Sequence, residues 1–299
     1  MPHKARHIAC FTLRACQLAS LGLALLGLCA HALAQTTQGP QEAPAGDPAN
    51  AAVAPPPKST VWEGAIGLST AYRPEYAGGS RQIVKLTPAL FLRYGRFTIT
   101  NASGFVTRRA DDVMRGLGVD MVQSDRLRIN MSLRIDRGRA ESTSQDLAGL
   151  GDIRPTVRVR TSASWRLEGP WRLGASWSFD ALGRGGGNHG DIGGGWEHRL
   201  SPATVIMLGT SLSLAGDRYM QTYFGISAEQ AARSRYPVYT PKAGVRDVSL
   251  SANLRHDFAG EWIALAGVAT TRLLGPAAAS PLTGKRDNWG VSAGLARRF

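Results

Sequence analysis

The chain has 299 residues, with 35 Lys or Arg against 22 Asp or Glu and a formal net charge of +13. Charged residues amount to only 19% and glycines number 35, which is unlike the composition of an ordinary soluble helical enzyme. The mean hydropathy of -0.15 is too polar for a bundle of membrane helices. The basic excess suggests nucleic acid or an anionic surface as a partner. Whether such a partner is plausible depends on where the arginines lie in the fold.

The first 34 residues have the pattern of a secretory signal peptide. Three basic residues and no acidic residue accompany an apolar run over residues 18–30. Ala32-Leu33-Ala34 then supplies the small-x-small pattern that signal peptidases cleave, so we predict a signal peptide over residues 1–34 and export. A short membrane anchor is the alternative, but the apolar run is too short to cross a bilayer comfortably.

The three cysteines, Cys10, Cys16 and Cys29, all lie inside this predicted signal. The exported chain is therefore expected to contain no disulfide, no thiol nucleophile and no cysteine metal site.

Residues 35–59 are rich in Gln, Ala and Pro, with Pro55-Pro56-Pro57 near the end of the segment. The segment has no periodic apolar face, so it cannot bury enough surface to offset the entropy of ordering. We predict a disordered periplasmic segment over residues 35–59, with a Pro-rich peptide ligand as the alternative.

Strict alternation of apolar and polar side chains dominates the remaining chain. Around residues 126–135, Leu127 and Leu133 fall on one face, whereas Arg128 and Arg134 fall on the other. A side-chain period of two is typical of a β-strand with two different faces. The pattern predicts about twelve strands, each long enough to cross a bilayer when tilted. They span residues 61–72, 82–94, 97–107, 114–123, 126–136, 155–167, 171–182, 191–200, 204–214, 247–258, 262–272 and 289–299.

The connections between these strands alternate between short and long. The short ones are Gly95-Arg96, Ser124-Asp125, Gly169-Pro170, Ser201-Pro202 and Ala259-Gly260. The others fall near residues 73–81, 108–113, 137–154, 183–190, 215–246 and 273–288. Outer-membrane barrels have tight periplasmic turns and longer external loops, and an even strand number returns the C-terminus to the side of entry.

Aromatic residues cluster at the strand ends beside the short turns and the termini, as expected of an interfacial girdle. They are Trp62, Tyr94, Phe97, Trp165, Trp171, Trp196, Phe258, Trp262 and Phe299. A soluble β-sandwich would explain the alternation but not the girdle, the loop asymmetry and the signal together. We therefore predict an all-β fold over residues 60–299, a transmembrane antiparallel β-barrel of about 12 strands in the Gram-negative outer membrane, in contact with its lipid.

The residues offer little chemistry for an enzyme. After the signal the only histidines are His189, His198 and His256, and the last two are expected on the outward face near the periplasmic rim. His189 falls in a predicted external loop with Asp191 two residues later, and a polar loop pair is favoured over a hydrolytic pair. Without a histidine beside a nucleophile a serine has no evident general base. We predict no catalytic, cofactor-binding or metal-binding residues, and no enzyme activity.

Alternation places many arginines on the predicted inner face of the barrel. These arginines are Arg93, Arg128, Arg134, Arg158, Arg160, Arg166, Arg172, Arg199, Arg255 and Arg298. The same face carries Glu63, Asp120, Asp136, Asp180 and Glu197. A ladder of ion pairs that fills a narrow barrel is favoured over an anion-leaning pore, since twelve strands lie between filled and open barrels. Nucleic-acid binding is not expected of an exported barrel whose bases are mostly internal.

The long loop over residues 215–246 is predicted to hold one short helix, Ala228–Arg233, because Ser227 and Gln230 form a capping-box pattern. A folded lid or plug and an external binding surface are both consistent with this loop.

Several segments in a fixed order resemble the MipA/OmpV family, the MltA-interacting proteins of Gram-negative outer membranes. The segments are Tyr72-Arg73-Pro74-Glu75-Tyr76-Ala77-Gly78-Gly79, Gly149-Leu150-Gly151-Asp152-Ile153, Tyr223–Ala231 running on to Pro237-Val238-Tyr239, Arg272-Leu273-Leu274-Gly275 and Ser280-Pro281-Leu282. The resemblance covers nearly all of residues 61–299.

This resemblance implies a role beside the peptidoglycan machinery. The member that gives the family its name is regarded as a scaffold joining a lytic transglycosylase to a bifunctional murein synthase, and some members are discussed as adhesins or in antibiotic response. The family has no catalytic residues to transfer. We therefore expect a scaffold in cell wall biogenesis, with a narrow anion-leaning channel or a surface adhesin acting through the long loops as alternatives.

Overall fold

The computed structural model describes residues 62–101, 116–258 and 260–299. Within these residues, twelve strands form a closed antiparallel barrel in which each strand pairs with its sequence neighbours and the first pairs with the last. The strands are β1 (Glu63–Pro74), β2 (Gln82–Tyr94), β3 (Phe97–Thr100), β4 (Gly116–Gln123), β5 (Leu127–Asp136), β6 (Thr156–Arg166), β7 (Trp171–Asp180), β8 (Asn188–Ser201), β9 (Thr204–Ala215), β10 (Gly244–Phe258), β11 (Trp262–Leu273) and β12 (Asp287–Arg298).

The predicted barrel and its strand order are confirmed, and apart from β3 the strand ends agree to within three residues. β8 and β10 begin earlier than predicted because their first residues extend the ladder, with His189 and Gly244 both opposite Ala215. Those residues follow glycine-rich or irregular sequence, so alternation alone misses them. The predicted segments 1–34 and 35–59, the loop 108–113, the second half of the predicted strand 97–107 and Ala259 lie outside the described residues.

The barrel has apolar side chains on its outer face and polar side chains inside, the reverse of a soluble protein. Ile135 on the outer face is 79% exposed, whereas the inward Arg158 side chain is only 5% exposed. Such an apolar outer band with a polar interior is the arrangement of a barrel surrounded by lipid. Alternation therefore predicts which residues face the membrane.

The predicted aromatic rim is present at the short-turn end of the barrel. Trp62 and Tyr94 pack with their ring centroids 4.8 Å apart, and Phe258 and Trp262 stack at 6.5 Å. Phe97 beside them is also largely exposed. Rings at this level occupy the membrane–water interface.

The segments at the opposite end fold into a structure that we call the loop cap (residues 75–81, 137–155, 216–243 and 274–286). Its helices are α1 (Asp217–Phe224), α2 (Ala228–Arg233) and α3 (Gly275–Ala278), and two 3₁₀ turns span Glu141–Thr143 and Gln145–Leu147. The predicted α2 is confirmed, including both hydrogen bonds of its capping box. No helix in the described part of the chain is long and apolar enough to cross a membrane.

Two apolar clusters hold the loop cap together. One cluster consists of Tyr76, Leu147, Leu150, Ile226 and Leu282, and the other of Ala215, Met220, Phe224, Leu273 and Ala277. Both draw on loops far apart in sequence, so the cap is a packed unit. Helix α1 is not predicted from the sequence because its N-cap is Gly216, which has no side chain to signal a helix start.

Candidate functional site in the barrel lumen

Ion pairs between neighbouring strands line the lumen. Arg158 Nε lies 2.6 Å from Asp136 Oδ2, and Arg172 Nη2 lies 2.5 Å from Glu197 Oε2. Arg160 reaches across β7 to Asp191, with its Nη2 3.1 Å from Asp191 Oδ2. Alternation explains this arrangement, since consecutive inward positions on adjacent antiparallel strands bring long side chains together.

Two carboxylates in the ladder are each shared by two arginines. Asp120 accepts two hydrogen bonds from Arg128, at 3.0 and 2.7 Å, and lies 3.7 Å from Arg93. Asp257 lies 3.1 Å from Arg255 and 2.8 Å from Arg298. With two guanidinium groups to one carboxylate, each of these two clusters carries an excess of positive charge.

The prediction of an inward arginine face is largely confirmed. Seven of the ten predicted arginines are in the lumen ion pairs: Arg93, Arg128, Arg158, Arg160, Arg172, Arg255 and Arg298. Arg134 is half-buried on the same face, whereas Arg166 and Arg199 are exposed at the short-turn ends of their strands.

The predicted acidic residues have different outcomes. Asp120, Asp136 and Glu197 are in the ladder, and Asp180 accepts hydrogen bonds from Thr156 and from the Gly186 amide. Glu63, which begins β1, is half-buried. Asp257 is a further lumen group that was not predicted, although it alternates in phase with Arg255 on β10 and could have been found by that signal.

The interpretation of His189 and Asp191 as a polar loop pair is wrong, because both belong to β8. Asp191 accepts hydrogen bonds from Arg160, Ser176 and Ser213 in the lumen. The His189 ring lies 4.9 Å from the Tyr219 ring beneath the loop cap. The glycine-rich sequence before β8 suggested a loop that includes His189, but pairing with β9 already begins at His189.

The other two histidines alternate with the outward face of their strands near the short turns, as predicted. The His198 ring stacks on Trp196 with centroids 5.3 Å apart. His256 Nδ1 lies 2.9 Å from Thr204 Oγ1. No group of three or more His, Cys, Asp or Glu side chains suited to a metal ion occurs among the described residues.

Helix α1 of the loop cap lies against the ladder at the long-loop end. The Tyr223 hydroxyl donates to Asp136 Oδ2 at 2.8 Å, and Thr222 Oγ1 donates to the Gly185 carbonyl at 2.6 Å. The Tyr219 ring has the guanidinium carbons of Arg158 and Arg246 at 5.5 and 5.4 Å from its centroid. These contacts fit a folded lid, and the prediction that the loop is also an external binding surface remains open.

Two tyrosines of the loop cap are held in their neutral form. Burial, assisted by the Asp136 carboxylate, raises the pKa of Tyr223. Burial, with a smaller contribution from the Asp146 carboxylate, raises the pKa of Tyr76 to about 12. Both hydroxyls therefore remain hydrogen-bond donors at physiological pH.

One side of the lumen is filled by apolar side chains, whereas the other contains a cavity. Beside β1, β2 and β12, the apolar residues Ala65, Ala89, Phe91 and Ala296 pack together and fill the interior. On the arginine side a cavity of about 390 Å³ remains, bordered by Arg128, Arg160, Arg172 and Arg255. The chemistry available in the described lumen is therefore charge recognition and hydrogen bonding.

Residues 66–299 match the sequence profile of the family described as MltA-interacting protein MipA. The chain belongs to the MipA family. The resemblance stated from the sequence segments is thus confirmed. Family membership and the apolar outer band together assign this MipA-family barrel to the Gram-negative outer membrane.

Solved outer-membrane barrels are similar in fold at low sequence identity. An outer membrane channel from Pseudomonas putida F1 is 12% identical, with a TM-score of 0.40, over 83% of this chain and 100% of that one. A bacterial polysaccharide outer membrane secretin is 12% identical, with a TM-score of 0.39, over 80% and 99%. Pseudomonas putida OprB is 8% identical, with a TM-score of 0.38, over 80% and 94%. The comparison with curated proteins gives no match.

Proposed function

We propose that this MipA-family barrel is a non-catalytic scaffold that holds a lytic transglycosylase and a peptidoglycan synthase together during murein biogenesis. The observation that carries the proposal is the family match over residues 66–299, whose description names an interaction with MltA. Within the proposal, residues 1–34 direct export and residues 35–59 extend into the periplasm from the short-turn end.

The lumen chemistry supports a non-catalytic role. Asp191, the acid nearest to His189 in sequence, is engaged by Arg160 and two serines. The His189 ring packs against Tyr219, and although Ser178 lies opposite it on β7, neither His189 Nδ1 nor Ser178 Oγ makes a hydrogen bond among the described residues. A hydrolytic pair would need a histidine within hydrogen-bond reach of its nucleophile.

The scaffold is tested by capture of partners with the full exported chain. Tagged protein in detergent is incubated with purified lytic transglycosylase and peptidoglycan synthase, each alone and both together. We expect each enzyme to be enriched over an unrelated outer-membrane barrel, and the synthase to be recovered better when the transglycosylase is present. Equal recovery by the unrelated barrel contradicts the scaffold.

The two shared carboxylates favour a narrow anion-leaning channel as a second candidate function. Asp120 and Asp257 each face two arginines, so the lumen carries more positive than negative charge. Planar-bilayer recording should then show small, anion-selective steps. A silent protein at high voltage would remove the channel.

A further inference from the structure

The cavity in the lumen lies toward the short turns, away from the loop cap. Its wall comes from β5 to β10 and includes many small polar side chains. Hydroxyl and amide groups at the cavity are supplied by Ser162, Ser164, Ser211, Ser251, Asn130 and Asn253. Such groups both donate and accept hydrogen bonds, which is the requirement for recognising the hydroxyls of a sugar.

Two inward glycines leave space in this cavity, Gly174 on β7 and Gly195 on β8. A Cβ at Gly195 would have no atom nearer than the Leu208 carbonyl at 3.5 Å. A Cβ at Gly174 would meet only the Ala163 carbonyl, at 3.8 Å. Space beside Gly174 is thus available to a ligand.

The cavity lining has a net positive charge, because four arginines border it with two carboxylates, Asp191 and Glu197. Arg128 and Arg255 each belong to a cluster in which two guanidinium groups share one carboxylate. Arg160 and Arg172 also border the cavity and add their charges to it. Guanidinium groups are suited to a carboxylate ligand.

We propose that the cavity binds a small acidic saccharide, with the ring hydroxyls on the Ser/Asn wall and the carboxylate on the arginines. Its volume of about 390 Å³ is at the small end of ligand sites, which suits one or two sugar rings. Helix α1 of the loop cap contacts the ladder at the opposite end of the lumen, and within the proposal the ligand enters from the periplasmic side. This binding site is independent of the scaffold proposal.

The test titrates three probes into the full exported chain in detergent at low ionic strength. Isothermal titration calorimetry measures their affinities. Glucuronate carries hydroxyls and a carboxylate, glucose lacks the charge, and acetate lacks the ring. We expect glucuronate to bind at least tenfold more tightly than either other probe. If glucose binds as tightly as glucuronate, the arginines do not recognise the ligand. If acetate binds as tightly as glucuronate, the hydroxyl wall does not recognise it. Either result contradicts the proposal.

A matched pair of variants locates the binding site. Gly174→Leu fills the cavity, whereas Gly194→Leu places the same side chain on the lipid-facing side of the next strand, where a Cβ has contacts of 3.7 Å or more. We expect Gly174→Leu to weaken glucuronate binding at least tenfold and Gly194→Leu to leave it unchanged. Ser251→Leu, from the β10 wall, should repeat the loss if Gly174→Leu does not fold. Unchanged binding in folded Gly174→Leu or Ser251→Leu overturns the proposal.

Discussion

The Tyr223 hydroxyl donates to Asp136 Oδ2 at 2.8 Å, and this hydrogen bond joins the loop cap to the barrel wall. The same carboxylate oxygen accepts from Arg158 Nε at 2.6 Å. One oxygen atom therefore links α1, β5 and β6, so the position of the lid depends on the lumen ladder beneath it.

We expect Tyr223→Phe to loosen the loop cap without unfolding the barrel. A hydrogen bond to a charged group contributes about 1.5–3 kcal/mol, and Asp136 retains Arg158 after the change. Hydrogen–deuterium exchange should show faster exchange of the α1 amides and unchanged exchange in β5. Tyr94→Phe, at the lipid-facing short-turn rim, is the control and should leave α1 protected.

A second prediction separates backbone strain from contact in the loop between β7 and β8. Gly187 and Gly183 both have positive φ, of +60° and +65°. A Cβ at Gly187 would overlap the Tyr219 backbone nitrogen, whereas one at Gly183 would meet nothing within 4 Å. Both alanine variants carry strain of about 1–2 kcal/mol, but only Gly187→Ala should displace α1. Limited proteolysis should cut the loop cap faster in Gly187→Ala alone, and equal rates would contradict the packing of α1 on this loop.

The shared carboxylate of Asp120 should be essential to barrel stability. Its side chain is only 2% exposed, and Asn130 Nδ2 also donates to it at 3.0 Å. Asp120→Asn removes the negative charge from two arginines, so we expect a loss of about 3–5 kcal/mol in the free energy of unfolding. Urea unfolding in lipid vesicles, followed by tryptophan fluorescence, measures this loss.

The matched control is Glu261→Gln, which removes an exposed ion pair with Arg297 at the short-turn rim. Exposed pairs contribute about 0–1 kcal/mol, so its unfolding midpoint should move little. A similar loss in both variants would show that the lumen ion pairs have no special role.

The tyrosine pKa values predict alkaline loosening of the loop cap. Tyr76 has a pKa of about 12 in the folded chain and about 10.0 when unfolded. Between these values the unfolded state has lost the proton that the folded state keeps, so folded-state stability falls as pH rises from about 10 to 12. Ultraviolet titration of tyrosinate should reveal a late-titrating group that is absent in Tyr76→Phe. Identical titration curves for the two proteins would contradict the burial of Tyr76.

Adjacent residues on β10 test the assignment of the two barrel faces. Leu250 is exposed on the outer face, whereas Ser251 borders the lumen cavity. An arginine on the lipid face near the bilayer midplane costs about 2–4 kcal/mol, so Leu250→Arg should be clearly less stable than Ser251→Arg in vesicles. The reverse order of unfolding midpoints would require the opposite face to be in lipid.

Alternation predicted the strands and their two faces, because a strand with lipid on one side and a polar lumen on the other must repeat every two residues. The loop asymmetry and the aromatic girdle were needed to choose a barrel over a sandwich. Alternation also predicted the face of Arg160 but not its partner. Asp191 lies two strands away, and the contact between them depends on the registers of β6 with β7 and of β7 with β8. Register is set by the whole sheet and is not encoded in the period of either strand.

The loop cap was predicted only where a local signal existed. Ser227 and Gln230 mark the start of α2 through mutual hydrogen bonds, and these form independently of distant residues. Helix α1 has no such start signal, and its apolar residues Met220 and Phe224 are buried by Leu273 and Ala277. Its stability therefore comes from tertiary contacts that single-sequence patterns do not show.

The hydrogen bond from the Tyr76 hydroxyl to the Leu282 carbonyl, 3.2 Å long, has a consequence for the order of assembly. The two residues are 206 positions apart, in the loop after β1 and the loop before β12. We expect them to meet only when the first and last strands have paired, so that the loop cap completes folding after barrel closure. Resistance of these loops to external protease therefore reports, on intact cells, the fraction of chains whose insertion is finished.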